Sequence, residues 1–208
     1  MKIFRPNTII ISLKALLIAV VFLYPNTSSA QQPVKMHSEY GSKNQDVARL
    51  LEFQGIDQYR SSFNGESLKG RHFLLTVKSI WGGELTRNDT IMNTVQYGDF
   101  AKISTDSLEV FVTGARVGDE LKVNFRFPKV VITRKYKAVS SDDYSLRAVG
   151  DQMVFKPGVT VPAYVFMLPY ENGDGKYYCT VQQSGGKVED WGKKFKLKHY
   201  LVFEMKFI

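Results

Sequence analysis

Cysteine is nearly absent from this chain of 208 residues, in which Cys179 has no second thiol to pair with. One thiol cannot form an intramolecular disulfide, so the sequence predicts a fold that its hydrophobic core stabilises. Cys179 lies in the strand-like run Tyr-Tyr-Cys-Thr-Val, which favours a small buried side chain in a strand. A nucleophile beside a histidine is the alternative role for this thiol.

Sequence motifs of catalysis and metal binding are also missing. Three histidines occur in the chain, at His37, His72 and His199. No pair of them has the spacing of a zinc-protease helix, and neither Gly-x-Ser-x-Gly nor a P-loop occurs. A calcium loop aligned on Asp174 would need carboxylates where Tyr170 and Val181 stand. The sequence therefore predicts no catalytic residue, no metal site and no cofactor.

No apolar run reaches the length that a transmembrane helix needs, about 20 residues. An apolar run at 15–24 follows three basic residues, and the small residues Ser28, Ser29 and Ala30 come after it. This order is typical of a signal peptide, so we expect residues 1–30 to be removed by cleavage between Ala30 and Gln31. Since no cysteine stands at that position, we expect no lipid anchor. The mature protein is predicted to be exported, either periplasmic or secreted, with no transmembrane segment.

The formal net charge of the chain is +8, and removal of the three basic residues in 1–30 lowers it to +5. This modest excess permits attraction to an anionic glycan or another polyanion, but it is also ordinary for a soluble protein. We expect no nucleic-acid partner.

Alternating apolar and polar residues, the pattern of half-buried β-strands, dominate the chain after residue 55. Residues 71–81 have one apolar and one mixed face, which predicts a central strand of a sheet. Val161–Leu168 has Pro162 near its start, which indicates an edge strand. With several further strands and glycine turns, the sequence predicts a mostly β single domain at 42–208, an antiparallel β-sandwich or jelly-roll-like fold.

One short N-terminal helix is predicted at about 43–54. Ser42 and Gln45 have the spacing of a capping box, and Gly55 is placed to end the helix. An apolar stripe should lie on the sheet: Val47, Leu50 and Leu51. The polar residues 31–41 before the helix predict a flexible lead-in.

Four segments resemble the pattern of small uncharacterised exported proteins of gut-dwelling Gram-negative bacteria: Phe53–Asp57, Leu68–Gly70, Ser79–Gly83 and His199–Glu204. The resemblance covers about Phe53 to Ile208. It implies export and a β-rich domain, and it brings no known activity. Asp89-Thr90-Ile91 and Asp106-Ser107-Leu108 are similar to the short O-glycosylation signal of such bacteria, which implies modification of Thr90 and Ser107.

A cluster of basic and aromatic residues is the predicted binding surface. Its members are Trp191, Lys193, Lys194, Lys196 and Lys198, with Tyr136 in a second basic run. Aromatic faces next to positive charges hold sugars or polyanions by stacking and by charge. The alternative is that the lysines of 194–198 are the solvent-facing half of an edge strand, which guards against aggregation.

Three classes of function follow from these features. The first is an exported, non-catalytic β-sandwich protein of the cell envelope that binds a glycan, a surface polymer or an envelope protein. The second is an envelope structural or assembly protein that pairs with a partner through the edge strand Val161–Leu168. The third is a hydrolase of envelope polymers, which requires His72 or His199 to meet Glu204 or another carboxylate in a cleft.

Overall fold

The computed structural model describes residues 33–179 and 187–208. The predicted signal peptide and its cleavage position after Ala30 lie outside these residues and stay predictions. The described residues belong to one compact unit, Gln31–Ile208. Within them, no helix has both the length and the apolar character to cross a membrane.

Strands make up most of the described chain. In chain order they are β1 (Val34–Tyr40), β2 (Ile56–Asn64), β3 (Phe73–Trp81), β4 (Glu84–Asn93), β5 (Ser107–Val117), β6 (Glu120–Arg126), β7 (Val131–Lys137), β8 (Ser145–Ala148), β9 (Val154–Phe155), β10 (Val161–Met167), β11 (Tyr170–Asn172), β12 (Gly175–Tyr177) and β13 (His199–Phe207). Two α-helices, α1 (Gln45–Phe53) and α2 (Trp191–Phe195), accompany them. Short 3-10 helices lie at Glu66–Leu68, Thr94–Ala101, Gly150–Gln152 and Val188–Asp190.

The strands form two sheets and a hairpin in which every pairing is antiparallel. The first sheet has the order β7-β6-β5-β2-β1-β9, and the second has the order β4-β3-β13-β10-β8. Strands β11 and β12 pair with each other as a separate hairpin. A mostly β, antiparallel fold was the expectation from the alternating sequence pattern, and the structure confirms it.

The main core lies between the two sheets. Phe125 on β6 and Phe203 on β13 come from different sheets, and their ring centroids are 5.2 Å apart. Phe63 on β2 meets Phe207 on β13 in the same way, at 5.5 Å. Burial of these large rings stabilises the sandwich, because burial of apolar area is the dominant favourable term in folding.

Strand β13 is buried on both faces. Leu201 and Phe203 point into the main core, whereas Tyr200 and Val202 belong to a second apolar cluster on the outer face of the same sheet. Residues 187–197 cover this outer face, since Val188, Trp191 and Leu197 complete that second cluster. Strand β3 lies between β4 and β13, so the predicted central position of 71–81 is confirmed.

The predicted flexible lead-in is wrong for Val34–Tyr40, which forms β1. This strand pairs with β2 along its length and with β9 at its start. Val34 and Met36 are buried while Lys35 and His37 are exposed. Buried and exposed residues therefore alternate at the start of β1, but the alternation is short and the segment is mostly polar.

The N-cap of helix α1 lies two residues after the predicted cap. Its N-cap is Asn44 instead of Ser42, because the Asn44 Oδ1 accepts hydrogen bonds from the Asp46 and Val47 amides at 2.9 and 3.2 Å. No residue of the helix is buried, and Val47 and Leu50 of the predicted stripe are exposed. The expected packing of this stripe on the sheet is therefore wrong for these two side chains.

Two further expectations from the sequence are corrected. Val161–Leu168 was expected at an edge, but β10 pairs with β13 on one side and with β8 on the other. A register shift between Pro162 and Tyr164 accommodates the proline, which cannot donate to the ladder. Cys179 was expected to be buried in a strand, but it is exposed and lies two residues after the end of β12.

Candidate functional site

Both aromatic residues of the predicted binding surface are buried. Trp191 is 3% exposed and packs on the outer face of the second sheet, next to Tyr200. Tyr136 is 8% exposed, and its ring lies 6.0 Å from that of Phe203 in the main core. Neither ring presents a face to solvent, so neither can stack on a sugar. The expectation that these rings form a surface is wrong, because each is an anchor of the core.

The lysines of the predicted surface are exposed, but they do not alternate along a strand. Lys193 and Lys194 belong to α2, and Lys196 after it has a left-handed backbone, with φ of 55°. The Lys193 ammonium pairs with Glu84 at 2.9 Å, and that of Lys194 lies 5.1 Å from the Phe195 ring centroid. Lys198 is exposed as well, so the lysines form a basic surface, but the predicted aromatic rings of Trp191 and Tyr136 are not part of it.

His199 is fully buried and its partners are hydroxyl groups. The Tyr144 hydroxyl lies 2.7 Å from Nδ1, and the Ser79 Oγ lies 3.3 Å from Nε2. The Val139 amide donates to the Tyr144 oxygen at 3.0 Å, and the Trp81 indole donates to the Ser79 oxygen at 3.0 Å, so both hydroxyl partners of His199 are themselves held in place. Burial lowers the pKa of His199 to about 4, so the ring is neutral at neutral pH.

His72 is half-buried directly before β3, and its Nδ1 has no hydrogen-bond partner among the described residues. The exposed Asp99 has a lowered pKa because of its hydrogen bond to Lys102, and His72 adds a smaller electrostatic effect. No described hydrogen bond joins either His72 or His199 to a carboxylate. The histidine–carboxylate pair that the hydrolase hypothesis requires is therefore not found in the part of the chain that the structure describes.

The structure instead brings Glu204 to a lysine and a second glutamate. Because Val202 on β13 is paired with Lys78 on β3, Lys78 and Glu204 are diagonal neighbours on the outer face of the second sheet. The Lys78 Nζ donates to Glu204 at 2.9 Å and to Glu189 at 2.6 Å. The Thr76 hydroxyl lies 3.4 Å from the other Glu204 oxygen. We call Lys78, Glu189 and Glu204 the ion triad.

Tyr200 holds Glu189 in place. The Tyr200 hydroxyl lies 2.9 Å from the carbonyl oxygens of both Val188 and Glu189, and it accepts a hydrogen bond from the Gly192 amide at 3.1 Å. The buried side chains of Val188 and Trp191 fix the same segment on the sheet. Residues 187–192 are thus attached to β13, so that Glu189 reaches the ammonium of Lys78.

Lys78 and Glu189 of the ion triad are both ionised at neutral pH, because the pKa of each is shifted away from neutrality. Burial lowers the pKa of Lys78, but hydrogen bonds to Glu189 and Glu204 outweigh this effect, and the net shift is upward. Burial raises the pKa of Glu189, but its hydrogen bond to Lys78 makes the net shift downward. Glu204 is 5% exposed, and a buried carboxylate is tolerated only with such a partner.

A polar cleft of about 550 Å³ opens beside the ion triad. Its other polar side chains are Thr76 on β3, Asn88 on β4, Thr160 just before β10, and Lys187 just before the 3-10 segment Val188–Asp190. Lys78 and Lys187 balance the charges of Glu189 and Glu204. The cleft therefore offers hydrogen-bond donors and acceptors without an excess of either charge.

The predicted O-glycosylation sites lie in different environments. Thr90 is exposed on β4, which is an edge strand of the second sheet. Ser107 is half-buried at the first residue of β5. Modification of either residue stays a prediction. Among the described residues, no group of three or more histidine, cysteine, aspartate or glutamate side chains is placed to hold a metal ion.

No family model, no curated protein and no solved structure matches the chain. The resemblance to small exported proteins of gut bacteria therefore stays a prediction.

Proposed function

We propose that this protein is an exported, non-catalytic β-sandwich protein of the cell envelope that binds a glycan in the polar cleft. The observation that carries this proposal is the buried carboxylate of Glu204, which lines the cleft and is held by Lys78 at 2.9 Å. A charged group at the base of an open cleft is fixed in position, so it forms a preorganised hydrogen-bonding partner for a ligand.

A neutral, polyhydroxylated ligand fits the chemistry of the cleft best. Sugar hydroxyls both donate and accept, and the cleft supplies carboxylate acceptors, ammonium donors and the Asn88 amide, which does both. A polyanion would meet Glu189 and Glu204 at close range, which is unfavourable. A polyanionic ligand is better matched by the exposed lysines of 193–198.

The state of the carboxylates supports binding rather than hydrolysis. Glycoside hydrolysis needs one carboxyl group that keeps its proton near neutral pH, which requires a raised pKa. The pKa of Glu189 is lowered, and both glutamates accept hydrogen bonds from the same ammonium. Glu189 is therefore deprotonated near neutral pH and has no carboxyl proton to give to a leaving group.

Calorimetric titration of the protein with neutral oligosaccharides tests this proposal. We expect Asn88→Ala to weaken binding by about tenfold, the cost of one hydrogen bond to a ligand, without changing the midpoint of thermal unfolding. Asn172→Ala is the matched control, because Asn172 is exposed on the β11–β12 hairpin away from the cleft residues. Equal affinity of the Asn88 variant and the control would place the glycan elsewhere.

A second measurement separates binding from hydrolysis. Incubation of the protein with the bound oligosaccharide should release no reducing ends over hours. Release that stops in Glu204→Gln but continues in Asn172→Ala would show that the protein is a hydrolase and contradict the proposal.

A further inference from the structure

The end of the sandwich at which β2 ends and β5 begins contains a cavity of about 310 Å³. Its walls are apolar side chains from both sheets, among them Phe73, Met92 and Leu108. Small-molecule pockets have volumes of about 300–1,000 Å³, so this cavity lies at the lower end of their range. It shares no lining residue with the polar cleft.

The 3-10 segment Thr94–Ala101 forms one side of the cavity and is tied to β3 at its start. The buried Thr94 hydroxyl accepts a hydrogen bond from the Phe73 amide at 2.7 Å and donates to the Phe73 carbonyl at 3.0 Å. Just beyond the segment, the Ile103 amide donates to the Arg71 carbonyl at 2.9 Å. The segment is therefore held at both ends, so the cavity wall is built into the fold.

The charged side chains of the cavity all have the same sign. Lys102 and Lys129 line it, and none of its lining residues is an aspartate or a glutamate. The Lys129 Nζ donates to the Phe100 carbonyl at 2.6 Å and lies 4.8 Å from the Phe100 ring centroid. Lys102 pairs with Asp99, an exposed residue outside the cavity lining.

Apolar walls with a cationic rim match a ligand that has an apolar body and one anionic group. A carboxylate at the rim would accept from Lys129 in place of the neutral carbonyl of Phe100, and hydrogen bonds between two charged groups are stronger than those to a neutral acceptor. The hydrocarbon part of the ligand would cover the apolar walls and remove their area from water.

We propose that this end cavity binds a small amphipathic carboxylate. The hydrocarbon chain lies against Phe73, Met92 and Leu108, and the carboxylate pairs with the ammonium groups of Lys102 and Lys129. This site is a second binding site, and it does not depend on glycan binding in the polar cleft.

Titration calorimetry of the full chain with decanoate, with decanol as the matched ligand without a charge, tests the proposal. We expect saturable binding of decanoate, and binding of decanol that is weaker by about tenfold or more because the charge-assisted hydrogen bonds are missing. Lys102→Gln with Lys129→Gln should weaken decanoate binding by a similar factor and leave decanol binding unchanged. Lys35→Gln with Lys122→Gln removes the same charge from exposed positions on β1 and β6 and should have no effect.

A cavity-filling variant locates the bound chain. Ala101→Trp places a large ring on the wall that the 3-10 segment forms, and it should abolish binding of both ligands while thermal unfolding shows a folded protein. Absence of saturable decanoate binding to the unmodified chain would overturn the proposal, as would unchanged binding in Ala101→Trp. If the exposed Tyr97 and Phe100 insert into a membrane instead, the protein will sediment with phosphatidylglycerol vesicles and bind no decanoate, which also overturns it.

Discussion

At the scale of single residues, Lys78 determines whether Glu204 is tolerated in the sheet. Glu204 is almost fully buried, and Lys78 donates its hydrogen bond from the neighbouring strand. Glu189, in contrast, keeps about a third of its side chain exposed and is partly solvated. The two glutamates therefore depend on the same ammonium to different degrees.

This difference predicts unequal costs of two conservative substitutions. Lys78→Met leaves the Glu204 charge buried without its partner, so we expect a loss of about 3–5 kcal/mol of unfolding free energy. Glu189→Gln removes a partly solvated charge, and we expect it to cost less than about 1 kcal/mol. Urea unfolding at neutral pH measures both values, and equal costs would contradict this account of the ion triad.

His199 makes stability depend on pH in the acidic range. Its pKa is about 4 in the folded protein and ordinarily 6.5, so between these values the unfolded chain binds a proton that the folded protein does not. Stability is therefore unaffected above pH 6.5 and falls as the pH decreases towards 4, by an amount on the order of 3 kcal/mol.

Unfolding free energies of His199→Gln measured from pH 7 to pH 4 test this dependence. The variant has no imidazole to protonate, so its curve should be flatter than that of the unmodified protein. His37→Gln is the control, because His37 is exposed on β1, and its curve should keep the full slope. A parallel curve for His199→Gln would show that another group is responsible.

At the scale of elements, the Tyr200 hydroxyl joins the segment 187–192 to β13. It contacts the carbonyls of Val188 and Glu189 and the amide of Gly192. Tyr200→Phe removes these hydrogen bonds and keeps the ring in the apolar cluster. We expect a loss of about 1–2 kcal/mol and faster amide exchange in residues 187–195 than in the unmodified protein.

Hydrogen exchange followed by mass spectrometry distinguishes a local from a global effect of Tyr200→Phe. Peptides from β5 and β6 belong to the other sheet and should keep their protection. A uniform increase over both sheets would mean that the hydroxyl stabilises the whole fold instead of this segment.

The elements themselves follow from the sequence to different degrees. A long strand such as β3 repeats the alternation many times, and its predicted apolar face is buried in the main core through Phe73, Leu75 and Val77. Strand β1 was missed because its alternation includes only Val34 and Met36 as buried apolar residues. The cap of α1 was predicted at Ser42, because the spacing of Ser42 and Gln45 fits a capping box. In the structure the side chain of Asn44 caps the helix instead.

The ion triad could not be predicted from the sequence, although Lys78 lies in the predicted central strand 71–81. Lys78 and Glu204 are 126 residues apart, and they meet only because β13 pairs with β3 in one particular register. A shift of one residue would place one of them on the opposite face. The signal that the sequence did contain was a charged residue on the mixed face of each of two largely apolar strands.

At the scale of the whole molecule, the exposed lysines test whether a diffuse positive charge binds a polyanion. Lys194→Gln, Lys196→Gln and Lys198→Gln together should change the unfolding free energy by less than about 0.5 kcal/mol, since exposed charges contribute little. If this surface binds a polyanion, the triple variant should lose salt-sensitive retention on heparin. Lys35→Gln, Lys69→Gln and Lys122→Gln remove the same charge elsewhere and should keep that retention.

If heparin retains the variant of Lys194, Lys196 and Lys198 at low salt as strongly as it retains the control variant, this surface is not the binding site. The two predicted rings cannot contribute to it, because Trp191 and Tyr136 anchor different parts of the core. These two residues stand next to lysines in the sequence. Whether their side chains are buried depends on which face of the strand or helix packs against the sheets.

The central position of β13 has a consequence for the order of assembly. Its neighbours β3 and β10 precede it in the chain, and neither can complete its backbone hydrogen bonds with β13 until residues 199–207 have been synthesised. The hairpin of β3 and β4 must therefore wait through more than a hundred residues of chain with one open edge. A chain that crosses a membrane with its N-terminus first would arrive on the far side with its second sheet in two unjoined parts, and the strand that joins them would cross last.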